Sequence, residues 1–143
     1  MKQTIGLLAA LFTFGTLNSQ AEGNVELTLR MVPNLSSQVW DGQKISGGEI
    51  RTHNAHSGYQ VWLDAPQLMG APNRYVISGK SGAQHKLRVI LVQNGWEPDK
   101  KTGHGVIKLT GEAQAYFDII ADGNQTIPAD SYPITMWGCY LEP

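Results

Sequence analysis

From Val25 onward the chain alternates between apolar and polar positions. Over residues 25–32, Val25, Leu27, Leu29 and Met31 fall on one side, with Glu26, Thr28 and Arg30 on the other. Successive side chains of an extended strand point to opposite faces, so this spacing predicts a strand with one buried face. The same period recurs at residues 59–64, where Tyr59, Val61 and Leu63 alternate with Gln60, Trp62 and Asp64. It recurs at residues 86–93 with Leu87, Val89 and Leu91, and at residues 113–121 with Ala115, Phe117 and Ile119. Further strands are predicted at residues 44–53, 74–78, 105–110 and 132–141.

Turn signals separate these runs, among them Asp41-Gly42 and Asp122-Gly123-Asn124. Gly47-Gly48 predicts a bulge or break in the second strand, and Gly138 a bulge that returns Cys139 and Leu141 to the core. Trp62, Tyr116 and Tyr140 fall in the outward phase. Residues 94–104 (NGWEPDKKTGH) are polar apart from Trp96 and are expected to form an exposed loop, a common carrier of binding on a rigid sandwich. No window sustains a 3.6-residue apolar period. Eight short strands with regular turns predict an all-β antiparallel sandwich or barrel.

The start of the chain has a different pattern. Met1-Lys2 precedes an apolar run at residues 5–14, IGLLAALFTF, followed by small and polar residues ending in Ser19-Gln20-Ala21. This is the layout of a secretory signal peptide cut after Ala21, and the run is too short for a bilayer that needs about twenty residues. The expected organisation is a signal peptide at 1–21 and one domain at 22–143, exported and not inserted in a membrane. No internal repeat, low-complexity tract or linker divides the rest.

Composition narrows the function. The 143 residues carry 11 Lys+Arg against 12 Asp+Glu, a formal charge of -1. Loss of Lys2 with the leader leaves the acidic side ahead by two, which argues against a basic nucleic-acid binder. One cysteine, Cys139, leaves no intrachain disulfide, unusual in an oxidising compartment. His53 and His56 lie three apart in a turn, His85 and His104 stand alone, and no Cys/His cluster has zinc spacing. Adjacent His56 and Ser57 do not make a triad, because a base must face its nucleophile in space. Nucleophile-elbow, phosphate-loop and dinucleotide fingerprints are missing. The chain is therefore expected to be no enzyme and to need no cofactor or metal.

The ends carry the strongest expectation. Glu22–Asn24 lead directly into the first strand, and the last strand runs to within two residues of Pro143. A sandwich whose final strand is central to its sheet has an unpaired apolar edge, which invites a strand from another chain. The first strand (Val25, Leu27, Leu29, Met31) and the last (Tyr132, Ile134, Met136) are expected to border one apolar donor-strand groove.

Two long blocks, DGQKISGGEIRTHNAHSGYQVW (residues 41–62) and AYFDIIADGNQTIPADSYPI (residues 115–134), resemble the invasin subunits of bacterial chaperone–usher fimbriae, the AfaD and DraD type. Within these the chain is similar to the minor tip pilins of aggregative adherence fimbriae, the AggB and AafB type. The resemblance covers essentially all of residues 22–143. It implies an incomplete immunoglobulin-like sandwich whose last strand another chain supplies. It also implies passage through the periplasm to the fimbrium tip on the bacterial surface. The implied partners are a periplasmic chaperone, an outer-membrane usher, the donor strand of a major fimbrial subunit and a host-cell receptor such as an integrin. Family members carry a second cysteine in the second strand, where this chain has Ile50-Arg51-Thr52-His53; only Cys139 matches. Loss of such a bridge removes roughly 2–4 kcal/mol. The alternative reading is a stand-alone exported β-sandwich that binds a ligand or glycan through its loops.

Overall fold

The structure, a computed structural model, describes residues 6–10, 25–31, 36–92 and 94–143. Its strands are β1 (Gly6–Ala10), β2 (Glu26–Met31), β3 (Gln38–Val39), β4 (Lys44–Arg51), β5 (Gly58–Leu63) and β6 (Arg74–Ser78). They continue with β7 (Lys86–Val92), β8 (Glu97–Pro98), β9 (Val106–Leu109), β10 (Gln114–Ala121), β11 (Gln125–Thr126) and β12 (Ser131–Leu141). No helix occurs among the described residues.

One sheet runs β1-β12-β5-β9-β8, the other β2-β4-β10-β7-β6, and β3 pairs with β11 beside them. Every pairing is antiparallel except β1 with β12. The two sheets face each other as an immunoglobulin-like sandwich. All eight predicted strands form, with ends moved by a residue or two; Val32 and Gln93, read as strand ends, lie outside the described residues. The short β3, β8 and β11 carry too few residues for a period to show.

The core is built from the in-phase positions. Leu27 and Leu29 of β2, Ile50 of β4, Val61 and Leu63 of β5, Leu87, Val89 and Leu91 of β7, and Phe117 and Ile119 of β10 are all buried. Burying such side chains is worth about 1.5–3 kcal/mol each. The expected break at Gly47-Gly48 does not occur. β4 runs through both glycines opposite Asp118 and Phe117, and the register shifts between Ile119 and Ile120 instead, leaving Ile45 as the extra residue. Gly48 serves close approach: a Cβ there would lie 2.3 Å from the Phe117 ring.

Residues 94–104 are mostly exposed, as their polarity predicts, and Trp96 and Asp99 are the buried exceptions. Trp96 is buried, meets Phe117 edge-on with ring centroids 6.1 Å apart, and donates its indole N–H to the Tyr116 carbonyl at 2.6 Å. An isolated indole in a polar stretch thus joins the core, with its one donor satisfied. Tyr116 does face outward and Trp62 is half-buried, but Tyr140 is 3% exposed and part of the core. The anticipated bulge at Gly138 is missing, so the alternation carries Tyr140 inward.

Candidate functional site

Among the described residues β12 is the longest strand, and its inward positions are Tyr132, Ile134, Met136, Gly138 and Tyr140, all buried. Met136–Leu141 pair with Leu63–Gly58 of β5 in one continuous register. A Cβ on Gly138 would sit 2.9 Å from Ile50 Cδ1 and 3.1 Å from Leu27 Cδ1. Glycine there brings β12 down onto β4 and β2 of the facing sheet.

On its other side β12 meets β1. Gly6–Ala10 run parallel to Ser131–Thr135, with Leu7 opposite Tyr132 and Ala9 opposite Ile134. These five residues belong to the apolar run read as a signal peptide. In this structure they lie beside β12, where an immunoglobulin sandwich carries its last strand. β1 therefore forms the edge of its own sheet, next to β12. One edge of the facing sheet is β2, which among the described residues pairs with β4 alone.

Most of the residues expected to border a groove come together here. Val25, Leu27 and Leu29 from the β2 side and Tyr132, Ile134 and Met136 from β12 are buried; Met31 is half-buried at the end of β2 and packs against the same core. Val25 precedes β2 rather than belonging to it.

The start of β12 is clamped by groups that the pattern did not single out. Asp130 Oδ2 accepts from the His85 ring at 2.8 Å and from the Ser81 N–H at 2.9 Å, while Oδ1 accepts from the Ser131 N–H at 2.7 Å. Burial by itself would raise the Asp130 carboxyl, but the His85, Ser131 and Ser81 donors outweigh it and hold the group at about 2. Tyr132 donates its hydroxyl to the Pro128 carbonyl at 2.6 Å. Burial, then the nearby Asp130 charge, raises its phenol. Lys80 N–H donates to the Ser131 carbonyl. His85 and Asp130 lie far apart in sequence, so no local spacing signals this clamp.

His56 is likewise held by the fold. Its two ring nitrogens lie 2.7 Å from the Asn54 and Glu112 carbonyls. The Cys139 thiol is buried, and burial pushes it up to about 11, away from thiolate chemistry.

Comparison with known proteins places this geometry. A model of the family described as Enterobacteria AfaD invasin protein matches residues 35–138. The chain is 37% identical to protein AfaD of Escherichia coli over 144 residues, covering 100% of this chain and 93% of AfaD. It is 33% identical to protein AggB of Escherichia coli, covering 79% of this chain and 78% of AggB. Among solved structures it is similar to HdaB, the minor tip subunit of the Escherichia coli Hda pilus. There the TM-score is 0.78 at 32% identity, with 83% of this chain and 85% of HdaB covered.

Proposed function

Because the chain belongs to the AfaD invasin family, whose members are fimbrial and adhesin subunits rather than enzymes, we propose that it is a minor tip subunit that accepts a donor strand. Val25, Leu27, Leu29, Met31, Tyr132, Ile134 and Met136 line the groove in this reading. A periplasmic chaperone fills it first, and the major fimbrial subunit replaces the chaperone after passage through the usher. Cleavage after Ala21 removes β1 and frees the edge for them. The mature subunit, residues 22–143, then sits at the fimbrium tip and contributes to adhesion to host cells or entry into them. An integrin is one candidate receptor.

The observation that carries this reading is the parallel pairing of Gly6–Ala10 with Ser131–Thr135. An apolar segment from the leader holds the place of a final strand, which supports an edge that needs one. Each donor side chain buried there contributes about 1.5–3 kcal/mol, and newly paired backbone groups add to it. Several such side chains together rival the total stability of a typical domain, about 5–15 kcal/mol.

Residues 22–143 are therefore expected to aggregate or melt at low temperature alone. A donor strand from the major subunit, fused after Pro143, should make the subunit monomeric and raise its Tm sharply. A stable monomer whose Tm is unchanged by the fused strand would overturn the proposal.

A further inference from the structure

A second feature lies on the outer face of the sheet that contains β12. Trp62 of β5 and Trp137 of β12 stand directly opposite each other in the antiparallel register, in the outward phase, and both are half-buried. They floor an open cleft of about 620 Å³. One wall is the segment after β5, with Asp64, Pro66 and Gln67; the other is the loop before β9, with Thr102, Gly103 and His104. The His104 ring lies over Trp62 at 5.7 Å between centroids, tilted by 37°.

The second wall is built, not draped. Asp99 at its base is 6% exposed. Its carboxylate accepts from the Lys101 N–H at 3.1 Å, from Gln60 Nε2 at 2.9 Å and from the Thr102 N–H and hydroxyl. Burial alone would raise that carboxyl, but these donors, led by Thr102, lower it on balance. Gln60 Nε2 also donates to the His104 carbonyl at 2.8 Å. Gly105 then brings the loop onto β5: its φ is +64°, and a Cβ there would meet the Val61 carbonyl oxygen at 1.9 Å. Only glycine permits that approach. The result is a wall held in place before any ligand arrives, which lowers the ordering cost of binding.

We propose that this cleft binds a saccharide of one or two neutral pyranose rings, with Trp62 and Trp137 as the floor and Asp64 and His104 as the polar rim. The chemistry of the lining selects that class. An indole face takes the apolar C–H face of a pyranose, while hydroxyls, each donor and acceptor at once, suit a carboxylate beside an imidazole. The Asp64 carboxylate is exposed and makes no ion pair among the described residues, so it is open to accept from a vicinal diol. The same charge disfavours anionic sugars and phosphates. A cationic ligand would need an aromatic cage, yet the His104 ring already covers part of Trp62, and Lys100 and Lys101 lie exposed in the same loop. The volume falls in the usual range for small-ligand sites, about 300–1,000 Å³. The cleft opens on the face of the sheet rather than at its edge, so this inference does not rest on strand acceptance.

The test uses residues 22–143 with the donor strand fused after Pro143, so that the subunit is monomeric under either reading of the edge, and follows the indole N–H signals of its four tryptophans by NMR. The probes are lactose, cellobiose, diacetylchitobiose and mannobiose, with choline as the cationic control. At least one disaccharide should shift the Trp62 and Trp137 signals saturably while Trp40 and Trp96 stay still. Asp64→Asn and His104→Ala, both on the exposed rim, should each weaken that binding about tenfold without lowering Tm. Trp62→Ala should abolish it. The proposal is overturned if none of the sugars shifts these signals up to about 50 mM, a range that would detect even millimolar affinity. It is equally overturned if choline alone does so, or if both rim variants bind as the parent does.

Discussion

Strands β10 and β12 have nearly the same pattern and opposite surroundings. In β10, Ala115, Phe117, Ile119 and Ala121 point inward and are buried; in β12, Tyr132, Ile134 and Met136 do the same. β10 is flanked on both sides by antiparallel strands from the middle of the chain, β4 and β7. β12 has β5 along Met136–Leu141, but along Ser131–Thr135 its neighbour is the parallel β1, Gly6–Ala10. Alternation thus specifies that a segment is a strand and which face it buries. It does not specify where the neighbour comes from.

The largest expected effect separates the two strands directly. Ile119→Asp places a charge in an interior that the chain completes by itself, at a cost of several kcal/mol. No folded subunit should be recovered, with or without a fused donor strand. Ile134→Asp places the same charge beside the proposed groove. It should remove the gain in Tm from the donor strand while the remaining sheets, followed by circular dichroism, still fold. Equal loss of folding in both variants would erase the distinction between the strands.

A smaller effect concerns pH. The folded-state Asp130 carboxyl lies at about 2 against an ordinary 3.8. Its contribution is therefore fully present above about pH 4 and is lost as pH falls from there through about 2. The clamp anchors only the start of β12, so acidification over that window should loosen β12 before β10. Asp130→Asn should flatten that part of the pH–stability curve. An unchanged curve would show that the clamp contributes nothing.

Much of this difference was legible in the residues, and some was not. The in-phase sets predicted β2, β5, β7, β10 and β12, because a half-buried strand must alternate whatever its partners. The burial of Val25, Leu27 and Leu29 and of Tyr132, Ile134 and Met136 in one core followed from the same phase. Three features were hidden. Trp96 lies in a polar stretch whose burial depends on Phe117 and Tyr116, both distant in sequence. The fate of Gly138 depended on what faces it: Leu27 and Ile50 leave no room for a Cβ, so the glycine keeps the phase instead of breaking it. The His85–Asp130 clamp joins two loops through contacts that no local spacing encodes.

The smallest effect concerns Cys139, on the face of β12 opposite Tyr140 and still only 5% exposed. With its thiol pushed up to about 11, alkylation of the folded subunit should be slow and should speed up on denaturation. Equally fast labelling in both states would contradict its burial.

The most direct test of strand acceptance is amide hydrogen exchange in residues 22–143, with and without a fused donor strand. Amides of Phe117–Ala121 in β10 should be protected in both forms. Those of Tyr132, Ile134 and Thr135 in β12 should gain strong protection only when the donor strand is present. Protection of Tyr132, Ile134 and Thr135 that is already full in the isolated subunit, and unchanged by the added strand, would contradict the account.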